Sequence, residues 1–309
     1  MTVVDILRGR NCPVCERPER DAAPFLAASI DPSRIGTFSF ASRKVPEYMS
    51  FRLVRCGGCA TIFAAEAPPA ESLAKAYETA DYDSAEEAVF AAKTYARELK
   101  SSLGSAELAG GALEIGTGTG VFLRELKQLG FAEVTGIEPS TAAIEAADAD
   151  VKAMIQTGVF TAADHATESL SLICCFQTLE HVPDPKSLTA EAFELLRPGG
   201  VLAFVTHDYT APINRALGRR SPIIDVEHMQ LFCPESLRHL VSNAGFQSIT
   251  ITKIRNTYPL RYWLRLVPLP RALKALGVKI ADAVGLGHRP VSLDVGNLLT
   301  VARKPVTQC

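Results

Sequence analysis

From residue 111 onward, short apolar runs alternate with stretches whose apolar residues recur every three or four positions. The runs at 112–116, 133–138, 152–156, 170–177, 200–206, 247–255 and 297–303 read as strands, and the segments 120–130, 140–148, 185–197 and 234–244 as helices. Such alternation predicts an α/β fold, a doubly wound and mostly parallel seven-stranded sheet with helices on both faces. The longest apolar runs, such as 172–176, are strand-sized and fall far short of the ~20 residues that span a bilayer. Towards the N-terminus the pattern changes. Residues 71–104 are alanine-rich and helical in period, with an interruption near 81–84. Ahead of them, 1–70 shows little helical period, strand-like stretches at 36–42 and 48–55, and a break at Ala67-Pro68-Pro69. The expected organisation is a small domain over 1–70, a helical linker or cofactor cover over 71–110, and a main domain over 111–309. Within the main domain, the segment near 256–290 is expected to form a lid.

Composition narrows the function classes. The chain has 309 residues, 47% hydrophobic and 21% charged, with a net charge of -2. A pI near 6.3 argues against a dedicated nucleic-acid binder. Arg8 and Arg10 arrive before any apolar stretch long enough for a signal peptide, so a cytoplasmic location is expected. The charge is unevenly spread: 236–281 carries eight Lys/Arg and no Asp/Glu.

Eight cysteines in a reducing compartment call for a reading other than disulfides. Cys12/Cys15 and Cys56/Cys59 form two CxxC pairs, and two such pairs close a four-thiolate tetrahedron around zinc. With all four positions supplied by protein, the ion would be structural. A redox motif expects one CxxC beside a βαβ unit, so redox chemistry and coincidence are the weaker alternatives. Cys174 and Cys175 sit in an apolar run and read as core, Cys233 precedes a proline at a helix start, and Cys309 is terminal.

The chemistry-bearing turn is Leu113-Glu114-Ile115-Gly116-Thr117-Gly118-Thr119-Gly120, which follows a strand and opens a helix. Glycines let backbone approach a ligand with no Cβ in the way. Glu138 ends the next strand, where a carboxylate can accept both hydroxyls of a ribose. With these residues in place the chain resembles the class I S-adenosylmethionine-dependent methyltransferases, over roughly 71–309. Glu114, Gly116, Gly118 and Gly120 match the family's first motif, and Glu138 its second-strand acid. The segment Phe176-Gln177-Thr178-Leu179-Glu180-His181 looks like the fourth-strand motif of a subgroup that includes ubiquinone-biosynthesis O-methyltransferases. The turn Arg197-Pro198-Gly199-Gly200 looks like the entry to the family's fifth strand. The four-cysteine leader, followed by Tyr77 and Tyr82, looks like a subset that contains sugar C-methyltransferases. The resemblance implies a Rossmann-like fold and S-adenosylmethionine held by Tyr82, Glu114, Gly116, Thr117, Gly118, Gly120, Glu138, Val159, Phe160 and Gln177. One departure is that Gly158-Val159-Phe160 lacks the acid that contacts the adenine amine in many relatives, and Asp164 lies some way along.

A base that takes a proton from the acceptor belongs near the C-terminal ends of strands four and five. Glu180-His181, His207-Asp208 and Glu227-His228 all qualify, with His228 first because a similar acid-His pair in sugar C-methyltransferases is associated with proton abstraction. Catalytic roles are therefore expected at His228, Glu227 and His181. Gln177 stands where the ubiquinone-type E-x-x-E-H pattern has its first Glu, which removes one charge from a divalent-ion site. The aromatic and basic stretch 258–270, with helical period from 271 to about 284, suits a substrate lid, a dimer contact or peripheral membrane contact. The expected activity is methyl transfer to a small polar acceptor, first a sugar (nucleotide-linked, in a glycan or lipid-linked). A quinone or aromatic O-methyltransferase, or a zinc-leader RNA methyltransferase, is the alternative. The leader holds nine basic and seven acidic residues in its first 70, too small an excess for strong RNA binding.

Overall fold

The computed structural model describes Val4 and residues 6–41, 47–83, 85–267 and 269–306. Cys309 and the last residue of the expected strand 36–42 lie outside the described residues. The N-terminal region forms five short strands: β1 (Arg8–Gly9), β2 (Ala23–Leu26), β3 (Leu53–Arg55), β4 (Ile62–Ala64) and β5 (Glu66–Ala67). Helices α1 (Ala70–Glu78), α2 (Ala85–Lys100) and α3 (Ser105–Leu108) lead into the alternating region. That region runs β6 (Gly111–Ile115), α4 (Val121–Leu129), β7 (Glu133–Glu138), α5 (Thr141–Glu145), α6 (Ala149–Lys152), β8 (Ile155–Thr157), β9 (Leu170–Phe176), α7 (Pro185–Leu195) and β10 (Leu196–His207). It continues with α8 (Pro212–Leu217), β11 (Gln230–Leu231), α9 (Pro234–Asn243), β12 (Gln247–Pro259), α10 (Leu260–Leu266), α11 (Arg271–Ala283) and β13 (Pro290–Arg303).

Seven strands form one sheet in the order β12-β13-β10-β9-β6-β7-β8. The strand pairs β6–β7, β6–β9, β7–β8 and β9–β10 are parallel, while β13 runs antiparallel to both β10 and β12. The sheet is therefore mixed rather than purely parallel. Both of its faces are covered, as a parallel centre requires. Cys175, Phe204 and Leu240 pack in one apolar cluster, and Cys174, Leu123 and Val205 in another. The adjacent cysteines thus point to opposite faces, as the two-residue strand period dictates.

Several expected elements differ. The strand placed at 152–156 begins only at Ile155, because α6 occupies residues up to Lys152. The helix placed at 140–148 ends at Glu145, and a break before Ala149 separates it from α6. Residues 36–41 form turns: the Gly36 amide donates to Ser39 Oγ, and the Ser39 amide donates back to the Gly36 carbonyl. These local bonds replace a strand ladder, a competition typical of serine. Of 48–55, only β3 is strand.

The leader's sheet has the order β11-β4-β3-β2, so its edge strand comes from residues 230–231, after the fifth strand of the large sheet. Gln230 pairs with Phe63 and Leu231 with Ile62, and the Ala64 amide donates to the Met229 carbonyl. Apolar packing follows the same connection. Phe51, Ile62 and Leu73 share a cluster with Ile223, Val226 and Met229. Along α11 and at its C-cap, Leu273, Leu276, Ile280 and Val284 are each more than half exposed. Among the described residues no helix is long and apolar enough to cross a membrane.

Candidate functional site

The glycine turn between β6 and α4 sits at the carboxyl edge of the sheet. Gly116 adopts φ 75°, and a side chain there would collide with Thr178. Gly118 adopts φ 56° with open space on its Cβ side, so a ligand can approach the backbone directly. Its amide donates to Glu138 Oε2 at 2.7 Å, and the Ser140 amide donates to Oε1 at 2.9 Å. Each carboxylate oxygen keeps a lone pair for another donor. Burial pushes the Glu138 carboxyl above its usual range, against the pull of those two amides. Thr117 Oγ1 donates to Glu114, which burial pushes up to about 8 with Glu138 adding to the rise. The Tyr82 hydroxyl comes within 3.5 Å of Thr119 Oγ1, beside the turn. Gly158 donates its amide to the Glu138 carbonyl at 2.9 Å, which brings the segment after β8 alongside. Val159 there is 58% exposed, while Phe160 is partly buried and stacks on His165. Gln177 sits at φ 52° just past β9, with its side-chain amide nitrogen buried and lacking a hydrogen-bond partner among the described residues. An open glycine cradle, a buried carboxylate with free lone pairs and an orphaned amide donor fit a nucleoside cofactor with a polar tail.

The three histidines weighed separately in the sequence converge here. His181 and His228 ring centroids lie 4.8 Å apart, and those of His207 and His228 5.3 Å apart. Glu180 is fully buried, and its Oε1 accepts from the His207 amide at 2.6 Å and faces His207 Nδ1 at 3.1 Å. Burial alone would raise the Glu180 carboxyl. The His207 hydrogen bond, helped by the charges of His207, His228 and His181, outweighs it and holds the group below its usual range. His228 Nδ1 lies 2.9 Å from the Ile223 carbonyl, which can only accept. Nδ1 therefore carries the proton and Nε2 is the free lone pair of the neutral ring. Burial, reinforced by His207, pushes His228 below 6.5, favouring that neutral form. Glu227, its sequence neighbour, turns instead to His181, with Oε2 3.8 Å from Nδ1. The Tyr77 hydroxyl approaches the same His181 nitrogen at 3.3 Å.

Sequence reasoning missed the residues that fix this cluster. Gln230 is fully buried, and its Nε2 donates to the Leu179 and Val182 carbonyls at 2.8 and 2.7 Å, on either side of Glu180-His181. Its Oε1 accepts from Arg10 at 3.2 Å, two residues before Cys12. Buried Asp225 accepts from the Glu47 amide at 2.7 Å, tying the His228 loop to the leader. The one signal for Gln230 was a polar residue between Met229 and Leu231.

The four cysteine Sγ atoms lie within 4.8 Å of one another, with Cys12–Cys59 at 3.5 Å and Cys15–Cys56 at 3.4 Å. Zinc–sulfur bonds of about 2.3 Å set tetrahedron edges of about 3.8 Å, so the thiols fit the ion. Each pair closes the same turn, with Glu16 and Ala60 left-handed and their amides returning to the Cys12 and Cys56 carbonyls. Among the described residues this is the one metal-ligand cluster, and Glu180 with His181 does not form another.

Comparison with known proteins agrees with this geometry. A family model described as a methyltransferase domain matches residues 87–251, just over half of the chain. The ubiquinone biosynthesis O-methyltransferase of Methylococcus capsulatus is 26% identical over 207 residues, covering 63% of this chain and 76% of the relative. Its counterpart from Pseudomonas entomophila is 26% identical over 189 residues, 58% of this chain and 69% of the relative. Among solved structures, an S-adenosylmethionine-dependent methyltransferase of Thermotoga maritima is 21% identical. It covers 70% of this chain and 90% of its own, with a TM-score of 0.48. The seven-stranded sheet, the glycine turn and the family match lead to one assignment: the chain belongs to the methyltransferase domain family and is an S-adenosylmethionine-dependent methyltransferase.

Proposed function

We propose that this enzyme methylates a sugar carried on a larger molecule (nucleotide-linked, in a glycan or lipid-linked), with His228 as the base and a structural zinc in the leader. The observation that carries it is the histidine cluster: a neutral, buried His228 with Nε2 free, beside His207 paired to Glu180. S-adenosylmethionine supplies an activated methyl on its sulfonium. Glu138 would accept the ribose hydroxyls, Gly116, Gly118 and Gly120 would admit the backbone close to the cofactor, and Val159 and Phe160 would flank the adenine. Gln177, with its unpaired amide, would take the methionine end, and Tyr82, Glu114 and Thr117 would hold the turn. His228 Nε2 removes the acceptor proton, His181 and Glu227 orient the acceptor, and Glu180 stabilises the charge that develops on the imidazoles. Cys12, Cys15, Cys56 and Cys59 would bind the ion that fixes the domain over 1–70, ahead of the cover over 71–110 and the catalytic domain over 111–309. The segment near 256–290 would close over the acceptor. Its outward row of Leu273, Leu276, Ile280 and Val284, in a stretch without acids up to Ala281, supports a peripheral membrane contact at a cytoplasmic surface.

The ubiquinone-biosynthesis relatives favour a second reading, O-methylation of a quinol or another aromatic hydroxyl. The experiment that separates them offers labelled S-adenosylmethionine with nucleotide sugars, lipid-linked sugars and quinols. Label in a sugar product supports the first reading; label confined to quinols replaces it with the second.

A further inference from the structure

The chain that joins His207 to His228 walls a second cleft, of about 640 Å³, against the leader's sheet. Phe25, Leu26, Arg55 and Leu231 line its leader side, and Arg215, Arg219 and Ile223 stand among the residues opposite. A volume of this size suits a small-molecule ligand. Its charge is one-sided: three arginines line it and no Asp or Glu does. Several arginines elsewhere are matched with carboxylates, while others, such as Arg238 and Arg255, bond backbone carbonyls. Arg52 pairs with Glu19 and Glu66, Arg124 with Asp148 and Asp150, and Arg303 with Glu107. Arg55, Arg215 and Arg219 have no carboxylate within salt-bridge distance among the described residues. Three like charges facing one cavity repel, and an anion in the cavity converts that repulsion into binding.

The walls add a second kind of contact. Phe25 is 44% exposed and meets Tyr209 edge-on at 6.4 Å between centroids, and the Tyr209 hydroxyl donates to the Ala60 carbonyl at 2.6 Å. The Tyr209 ring is therefore tied to the backbone one residue after the second cysteine pair. Ile223 closes the connection to the histidines, because its carbonyl is the one that holds His228 Nδ1. The cleft and the candidate base thus share a backbone segment.

We propose that this cleft binds the diphosphate end of the methyl acceptor. Arg55, Arg215 and Arg219 take the phosphate charge, and Phe25 with the aliphatic wall takes the group attached beyond it. The assignment rests on the reading of the acceptor as a carried sugar, and it narrows the carrier to a diphosphate ester, either a nucleoside diphosphate or a polyprenyl diphosphate.

The test is calorimetric titration of the full, metal-loaded protein with inorganic pyrophosphate, uridine diphosphate and farnesyl diphosphate. Wild type, Arg215→Ala, Arg219→Ala and the double variant are compared. Arg197→Ala is the control, since Arg197 lies at the opposite edge of the sheet beside Gly199 and Arg303. Each cleft substitution should weaken binding about ten- to hundredfold, as loss of a hydrogen bond between charged groups does, and Arg197→Ala should leave it unchanged. Tighter binding of uridine diphosphate than of pyrophosphate assigns a nucleotide carrier, and tighter farnesyl diphosphate a lipid one. Absence of binding, or equal binding by the double variant, overturns the site. Methylation of a diphosphate-linked sugar at the same kcat/KM by wild type and double variant also overturns it while leaving the sugar reading intact. Arginine-dependent pyrophosphate binding in an enzyme that methylates only quinols supports the site and removes the sugar.

Discussion

Replacing Glu138 by Ala tests the cofactor site most directly. Two of the four lone-pair positions of its carboxylate are taken by the Gly118 and Ser140 amides, leaving one on each oxygen for a ribose hydroxyl. Loss of hydrogen bonds to a charged acceptor costs about 1.5–3 kcal/mol, or roughly ten- to over a hundredfold in Kd. Releasing the Gly118 amide also loosens the turn, so the upper part of that range is expected. Calorimetry with S-adenosylhomocysteine measures it. The pH dependence supplies a second check. Burial raises the Glu138 carboxyl, so its ionised form is complete only above that raised value. Wild-type affinity should therefore be full at high pH and fall as pH drops through it, beginning above the pH of an ordinary glutamate. Glu138→Ala should lose that dependence. An unchanged Kd in Glu138→Ala would refute the ribose contact.

Protein purified without chelator should contain about one zinc per chain by elemental analysis, and Cys56→Ser should release it and lower the thermal midpoint, because metal binding and local folding are coupled. His228→Ala should lower kcat about 100- to 10,000-fold with cofactor affinity nearly intact, and the wild-type kcat should rise with pH through a value below 6.5, since burial and His207 disfavour the protonated ring. Activity of His228→Ala within a few-fold of wild type, with His207→Ala or His181→Ala inactive, transfers the role to another histidine. Glu114 keeps its proton to about 8 when folded and releases it near ~4.3 when unfolded, so stability should decline as pH rises between those values. Glu114→Gln should flatten the melting temperature across pH 5–9; an unaltered slope removes Glu114 as its source.

The large sheet was legible because its signals are local. Apolar runs bounded by turns marked all seven strands, and the proline after Cys233 marked the start of α9 within a residue. The leader was less legible. Strands of two to four residues, such as β2 and β4, are too short for a two-residue period to rise above chance. The residues of the candidate site could be nominated one by one but not as an assembly. His181, His207 and His228 each stood out as candidates, while their convergence on Glu180 depends on chain segments brought together by the sheet. Glu227 read as the partner of His228 by adjacency, yet successive residues in a turn point apart, and its carboxylate went to His181. Gln230 carried no signal beyond its polarity between Met229 and Leu231, since an amide that bridges carbonyls becomes visible only when both carbonyls are in place.

The pairing of β4 with β11 also sets an order of events during synthesis. Phe63 emerges from the ribosome long before its partner Gln230, so the leader's sheet waits with one edge open. That edge carries Ile62, Phe63 and Ala64, all fully buried at the end, and an open apolar edge is a template for pairing with other chains. Contacts this distant in sequence are slow to form. A nascent chain that stalls before residue 230, or a fragment ended there, should therefore aggregate through β4, and timely arrival of the His228 loop would protect the leader as well as build the histidine cluster.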